Sequence, residues 1–337
     1  MKVIHFFAIT AMAAAMFTSC SNDGDLAQSN YPSDNIIRVT TDLNNAKTRA
    51  DENSGSLMEK DFLLTIVNKN SESSLAATYT YVNKKFSKSS GGTWSCGETL
   101  LWQNAMTPVD IVALAPAQET IFNGVYDKSK GFQSFSYSVA ADQTTADDKN
   151  DLLYCYSPGF VPKDKLVDQK LNITFNHAFC LIDIIVTLGT EFNVPSVPTT
   201  SPITEVTIGG TKIAANVNVT STTAIATPTD KAVATDIKAT QGTFTFDKDN
   251  AKKSCTARFS CIVIPQTIAA NDFKITLKTA NKAYEWILDK EITLKSGFSH
   301  TLKLTMGNDV VLTTKESITA KPWDNGTEHD GTLETES

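Results

Sequence analysis

Leu171-Asn172-Ile173-Thr174-Phe175-Asn176-His177-Ala178-Phe179-Cys180-Leu181-Ile182-Asp183-Ile184-Ile185-Val186-Thr187-Leu188 is the most β-prone stretch of the chain. Side chains alternate along a strand, so Leu171, Ile173 and Phe175 share one face. From Ala178 onward the parity changes. Ala178, Cys180, Ile182, Ile184, Val186 and Leu188 now share a face. A parity change inside a strand-forming run predicts a bulge or bend at Asn176–His177. Asp183 is expected to point outward, or to be paired if it is buried.

The same period recurs on both sides of this stretch. Phe62, Leu64 and Ile66 alternate with Leu63, Thr65 and Val67, and Leu75 to Val82 reads as the next strand. Val109 to Ala115 is a short apolar run stopped by Pro116, as expected of a buried strand. Beyond residue 200, Val206 to Ile213 reads as a hairpin about Gly209-Gly210. Phe273, Ile275 and Leu277 alternate with Lys274, Thr276 and Lys278, and Asn281-Lys282 turns into Tyr284, Trp286 and Leu288. Ile318 to Trp323 is the last apolar run. No long stretch has apolar residues at helical spacing, and Thr, Ser, Asn, Val and Ile abound, so the expected class is all-β. Pro195, Pro198 and Pro202 fall between two blocks of strands. They divide the chain into two expected β-sandwich domains in tandem, residues 51–190 and 191–337, the second ending in a short acidic tail.

Residues 1–19 read as an export signal outside the fold. Lys2 is followed by an apolar core from Val3 to Phe17, too short for a comfortable membrane span. Phe17-Thr18-Ser19-Cys20 resembles a bacterial lipobox, with Phe17 where Leu is usual, and Cys20 is the expected lipidation residue. That lipid would be the chain's only anchor in the outer membrane. Five further cysteines, Cys96, Cys155, Cys180, Cys255 and Cys261, lack Cys-x-x-Cys spacing. An odd number cannot all pair within one chain, and a Cys155–Cys180 disulfide is one possibility.

Residues 20–50 combine a polar tether with a short strand. Ile37, Val39, Thr41 and Leu43 fall on one face of it, and Ile36, Arg38 and Thr40 on the other. A polar loop with the single Arg49-Ala50 bond follows. A strand held by a protease-accessible loop can be cut away from its domain, although an ordinary edge strand and an ordinary loop would read the same way.

The formal charge of −7 over 337 residues, with no large basic cluster, argues against a nucleic-acid partner. No nucleotide-binding loop, nucleophile elbow or zinc-protease motif occurs, so no catalytic, metal or cofactor site is expected. His177 reads as a structural histidine, His300 as a turn residue at a strand start, and Asp247-Lys248-Asp249-Asn250 as a turn that lacks the Gly and distal Glu of a calcium loop.

Taken together, these marks resemble the fimbrillins and fimbrillin-like lipoproteins of Bacteroidetes, the subunits of type V pili. The resemblance rests on Cys20, on Ile36 to Leu43 followed by Thr48-Arg49-Ala50, and on Asp151-Leu152-Leu153-Tyr154 with Phe175-Asn176-His177-Ala178. It extends to Ile264-Pro265-Gln266, Lys295-Ser296-Gly297-Phe298 and Ile318 to Trp323. It implies transthyretin-like sandwiches and a non-enzymatic pilus subunit, or a tip or accessory adhesin, exported as a lipoprotein. Cleavage after Arg49 would remove a first strand carrying Ile36, Ile37, Val39 and Leu43. A strand from another pilus subunit would fill the groove. The implied location is the surface of the outer membrane, then the fimbrium. Residues after Trp323 are acidic, with Leu333 their only large apolar side chain, which makes them a poor donor strand. The alternative is a monomeric surface lipoprotein that binds glycan or host protein.

Overall fold

A computed structural model describes residues 30–44, 59–221, 225–229, 233–307 and 311–323, with side chains omitted for 311–318. Among the described residues the regular structure is almost all strand. Ser73–Thr78, Glu119–Phe122 and Pro162–Lys165 are its short α-helices. The all-β expectation therefore holds.

Seven strands form the largest sheet. Their order is Val39–Leu43, Leu171–His177, Leu153–Phe160, Val109–Ala115, Phe62–Asn68, Tyr81–Lys88 and Trp94–Ser95. All neighbours are antiparallel except the first pair, which is parallel with Val39 opposite Leu171 and Leu43 opposite Phe175. Phe62–Asn68 and Val109–Ala115 are buried on both faces. Phe62, Leu64, Ile66, Ile111 and Ala113 point into one core with Ile37, Val39, Leu171, Ile173 and Phe175. Leu63, Val112 and Leu114, of opposite parity, point into a second core. Two-sided burial explains why these strands read as continuous apolar runs rather than as clean alternations.

The second core lies largely under two further sheets. Cys180–Leu188 runs between Cys255–Val263, antiparallel, and Phe298–Met306, parallel, with Val311–Pro322 beyond the latter. Ile203–Gly209 pairs with Lys274–Thr279, which pairs in turn with Ala283–Ile287. Strand pairing thus changes sheets at Ala178–Phe179. This is where the parity changes: Leu171, Ile173 and Phe175 serve the first core, and Cys180, Ile182, Ile184, Val186 and Leu188 the second. Pairing also runs across residue 190, since Phe135–Ser138 pairs with Ala214–Val217, and Cys180–Leu188 has both its partners beyond the Pro-rich segment.

Two local readings are corrected and one open possibility is closed. Residues 75–78 are helical, and the strand begins only at Tyr81. Ala76 and Ala77 favour a turn of helix, the Ala76 N–H donates to the Glu72 carbonyl (2.9 Å), and the Thr78 and Thr80 hydroxyls bond back to the Ser74 and Ala76 carbonyls. No hairpin forms at Gly209-Gly210, because Ile203–Gly209 and Ala214–Val217 pair with other strands. The glycine pair instead allows a close crossing. Gly210 has φ of 83°, and a Cβ there would run into the Asp272 carbonyl. Cys155 and Cys180 are not joined by a disulfide. Cys155 pairs with Ala113 in the large sheet, while Cys180 is buried in the second core with its Sγ directed at the Val263 carbonyl (3.3 Å).

Gly210→Ala is expected to lower stability in urea unfolding by about 2–4 kcal/mol, from strain at positive φ plus the backbone clash. Gly124→Ala, at a position with open space around the added Cβ, is expected to change it by less than about 0.5 kcal/mol.

Candidate functional site

The segment Asn35–Asn44 lies between two walls. On one side is Leu171–His177. The Leu171 N–H donates to the Arg38 carbonyl (2.8 Å), and the Asn44 N–H donates to the Phe175 carbonyl (2.8 Å). At the rim, Asn44 Nδ2 donates to Asn176 Oδ1 (2.9 Å) and the Thr40 hydroxyl to Asn172 Oδ1 (3.4 Å). On the other side is the segment 94–102. The Ile37 N–H donates to the Leu100 carbonyl (2.9 Å), the Trp102 N–H donates to the Asn35 carbonyl (2.8 Å), and Ile36 bridges Leu101. Tyr81 holds this wall in place. Its hydroxyl donates to the Leu101 carbonyl (3.0 Å) and accepts from the Leu101 N–H (3.1 Å), and burial raises its pKa.

The floor between the walls is apolar. Ile37, Val39 and Leu43 are 6%, 7% and 4% exposed, and Ile36 is half-buried. Phe62 stacks on Phe86 (5.3 Å between centroids) and meets Trp94 and Phe175 edge-on (4.9 and 5.5 Å). Thr41 is the polar member of the inward row, and its hydroxyl accepts a hydrogen bond from Trp94 Nε1 (3.0 Å). A local turn sets the entry to the strand. Asn35 adopts φ of 58°, the Asn35 N–H donates to the Pro32 carbonyl (3.1 Å) and the Ile36 N–H donates to Asp34 Oδ1 (3.0 Å). The hydrogen bond from Arg38, with that from the Ile36 N–H, brings the Asp34 carboxyl down to about 2. The Asp34–Arg38 pair is solvent-exposed, so it orients the turn more than it stabilises it.

A second constellation lies at the far end of Leu171–His177. The His177 ring is buried, with Nδ1 2.8 Å from Asp151 Oδ1, and stacks on Trp323 (3.7 Å, 13°). The backbone ties these residues together. The Ala178 N–H donates to the Leu152 carbonyl, the Gly297 N–H to the Phe179 carbonyl and the Trp323 N–H to the Gly297 carbonyl, each at 2.8 Å. Ser296 Oγ donates to the Ala178 carbonyl (2.8 Å). Nearby, the Lys295 N–H donates to His300 Nε2 (3.0 Å). Four stretches far apart in sequence, around 151–154, 175–179, 295–298 and 318–323, thus meet at the place where the chain passes between its two cores.

The structure brings Ile37, Val39 and Leu43 together in one core and sets Ile36 at its margin. Cys20, Arg49 and Ala50 lie outside the described residues. His177 is a packing and hydrogen-bonding residue, as read from the sequence. Among the described residues no group of three His, Cys, Asp or Glu side chains is placed to hold a metal ion, and no helix is long and apolar enough to cross a membrane. Sequence reasoning missed the second wall. Nothing local ties Trp94 to Thr41, since the two are 53 positions apart.

A sequence model of a family described as fimbrillin-like matches residues 48–323. A comparison with curated proteins found no match. Among solved structures, a candidate cell adhesion protein from Bacteroides uniformis superposes with a TM-score of 0.55 at 18% identity, covering 87% of this chain and 99% of that one. A second, from Bacteroides ovatus, gives 0.56 at 14% identity, again covering 87% and 99%. At these identities the likeness concerns the fold.

Burial of His300, helped by the Lys295 charge, pushes its pKa down to about 4. The unfolded chain therefore takes up its proton first, near pH 6.5. The stabilising contribution of neutral His300 is complete above that pH and is lost as pH falls from 6.5 toward 4. Between pH 7 and pH 5 the expected loss is on the order of 2 kcal/mol. His300→Gln, which keeps an acceptor for the Lys295 N–H, should flatten that part of the pH–stability curve in urea titrations.

Proposed function

This chain belongs to the fimbrillin-like family, and we propose that it is a pilus subunit or tip adhesin of the receiving kind, whose first strand is removed so that a strand from another subunit can take its place. The family and its structural relatives are fimbrial and cell-adhesion proteins rather than enzymes, and they belong at the cell surface.

One observation carries the proposal. Residues 37–43 supply core side chains and an edge strand to the large sheet, yet between Asn44 and Glu59 they connect to the body only through the polar segment that contains Arg49. In the proposed sequence of events, Cys20 takes a lipid and holds the precursor on the outer membrane. The first strand meanwhile keeps the groove dry and paired. An Arg-specific protease then hydrolyses the Arg49–Ala50 bond.

Departure of the strand would vacate the sites of Ile37, Val39 and Leu43, each worth about 1.5–3 kcal/mol of burial. It would also strip the outer edge of Leu171–Phe175 of its backbone partners. Both costs are offset when a donated strand enters by strand addition. A contact of that kind is head-to-tail and open-ended, so it propagates as a filament or terminates at a tip. The acidic, apolar-poor residues after Trp323 favour a subunit that receives a strand without donating one.

The test is the N-terminus of protein sheared from cells, read by mass spectrometry. A start at Ala50 is expected, with Arg49→Ala leaving the N-terminus upstream of Ala50 and removing the protein from high-molecular-weight ladders on unboiled gels. Wild-type protein that still begins at lipidated Cys20 and is absent from such ladders would point to the alternative, an anchored monomeric lipoprotein.

A further inference from the structure

Thr41, half-buried, is the odd member of the inward row. Ile37, Val39 and Leu43 fill the core as any apolar alternation would, and a purely hydrophobic groove would take Val at position 41 equally well. The groove is not purely hydrophobic there, because Trp94 directs its indole N–H into it, 3.0 Å from the Thr41 hydroxyl.

The indole has little freedom to turn away. Trp94 is 7% exposed. The short strand Trp94–Ser95 is paired with Ser87 and Lys88. The ring stands edge-on against Phe62, and the Lys88 ammonium sits over it at 5.9 Å. A buried N–H left without an acceptor is costly, and the cost falls on whichever strand fails to supply one. An extra methyl group in the groove recovers less than the lost hydrogen bond costs.

We propose that the groove selects its incoming strand through Trp94. The partner is an extended segment of another polypeptide with large apolar side chains in the places of Ile37, Val39 and Leu43, and a Ser or Thr hydroxyl in the place of Thr41. This rests on the strand-exchange reading above and adds a polar requirement to it. Residues 324–337 hold one large apolar residue, Leu333, and do not contain the pattern. Those residues are therefore not the segment that fits.

The experiment uses the full chain nicked at Arg49–Ala50, unfolded in urea and refolded with an excess of labelled peptide spanning residues 34–44. The released native strand serves as an internal competitor. Peptides carry Thr41, Thr41→Ser or Thr41→Val, and bound label is read after gel filtration. The Thr and Ser peptides are expected to compete with the native strand, and the Val peptide to compete roughly tenfold less well. In Trp94→Phe protein the Thr and Val peptides should compete equally. A Val peptide that matches Thr in the wild-type groove overturns the selection rule and leaves strand exchange standing. The rule also falls if Trp94→Phe keeps the preference. If neither the native strand nor any peptide stays with the refolded body, the strand-exchange reading itself fails, and the selection rule with it.

Discussion

The outer edge of Leu171–His177 must be hydrogen-bonded. Its inward face carries Leu171, Ile173 and Phe175, while Asn172, Thr174 and Asn176 face outward. An unpaired edge beside so much apolar surface would bind any extended chain it met. The protein closes that edge with its own residues 39–43, in parallel register, and braces them from the opposite side with Leu100 and Trp102. The remaining features follow from that arrangement. The Asp34–Arg38 turn aims the strand, Tyr81 fixes the second wall, and the aromatic group around Phe62 forms the floor.

The same strand ends in the His177 constellation, so the groove and the C-terminal part of the chain share one structural element. His177 touches Asp151 on one side and the face of Trp323 on the other. Its neighbours Ala178 and Phe179 receive hydrogen bonds from Ser296 and Gly297. A displacement of Leu171–His177 would therefore be resisted by packing from both halves of the chain. This makes it a rigid wall along one side of the first strand.

Much of this architecture was legible from residue order, and the reasons are local. Period-two alternation marked Phe273 to Thr279 and Cys180 to Leu188, since each has a buried face and a more exposed one. The parity change after Phe175 signalled a change of core, with the break falling at Ala178–Phe179 rather than at Asn176–His177. Ile37, Val39 and Leu43 stood out because they alternate in a polar neighbourhood. Other features were hidden by physics that pattern alone does not carry. Gly209-Gly210 looked like a turn because a close backbone crossing and a turn require the same residue. The two-sided burial of Val109–Ala115 erased the alternation that would have shown its faces. The Trp94–Thr41 bond joins positions with no periodic relation, and only the assembled sheet places them together.

Parallel pairing of the first strand has a consequence for the order of events in folding. Residues 39–43 leave the ribosome early, yet their partners are 132 positions later. No hairpin can hold them in the interval, and closing so long a loop carries an entropic cost before any contact is gained. The body of the large sheet can form from residues 62 to 177 by antiparallel neighbours, with the first strand docking onto a finished edge. The segment synthesised first is then the last to be seated. A piece seated last, by sliding into a prepared slot, is also the piece that can leave without dismantling what was built before it.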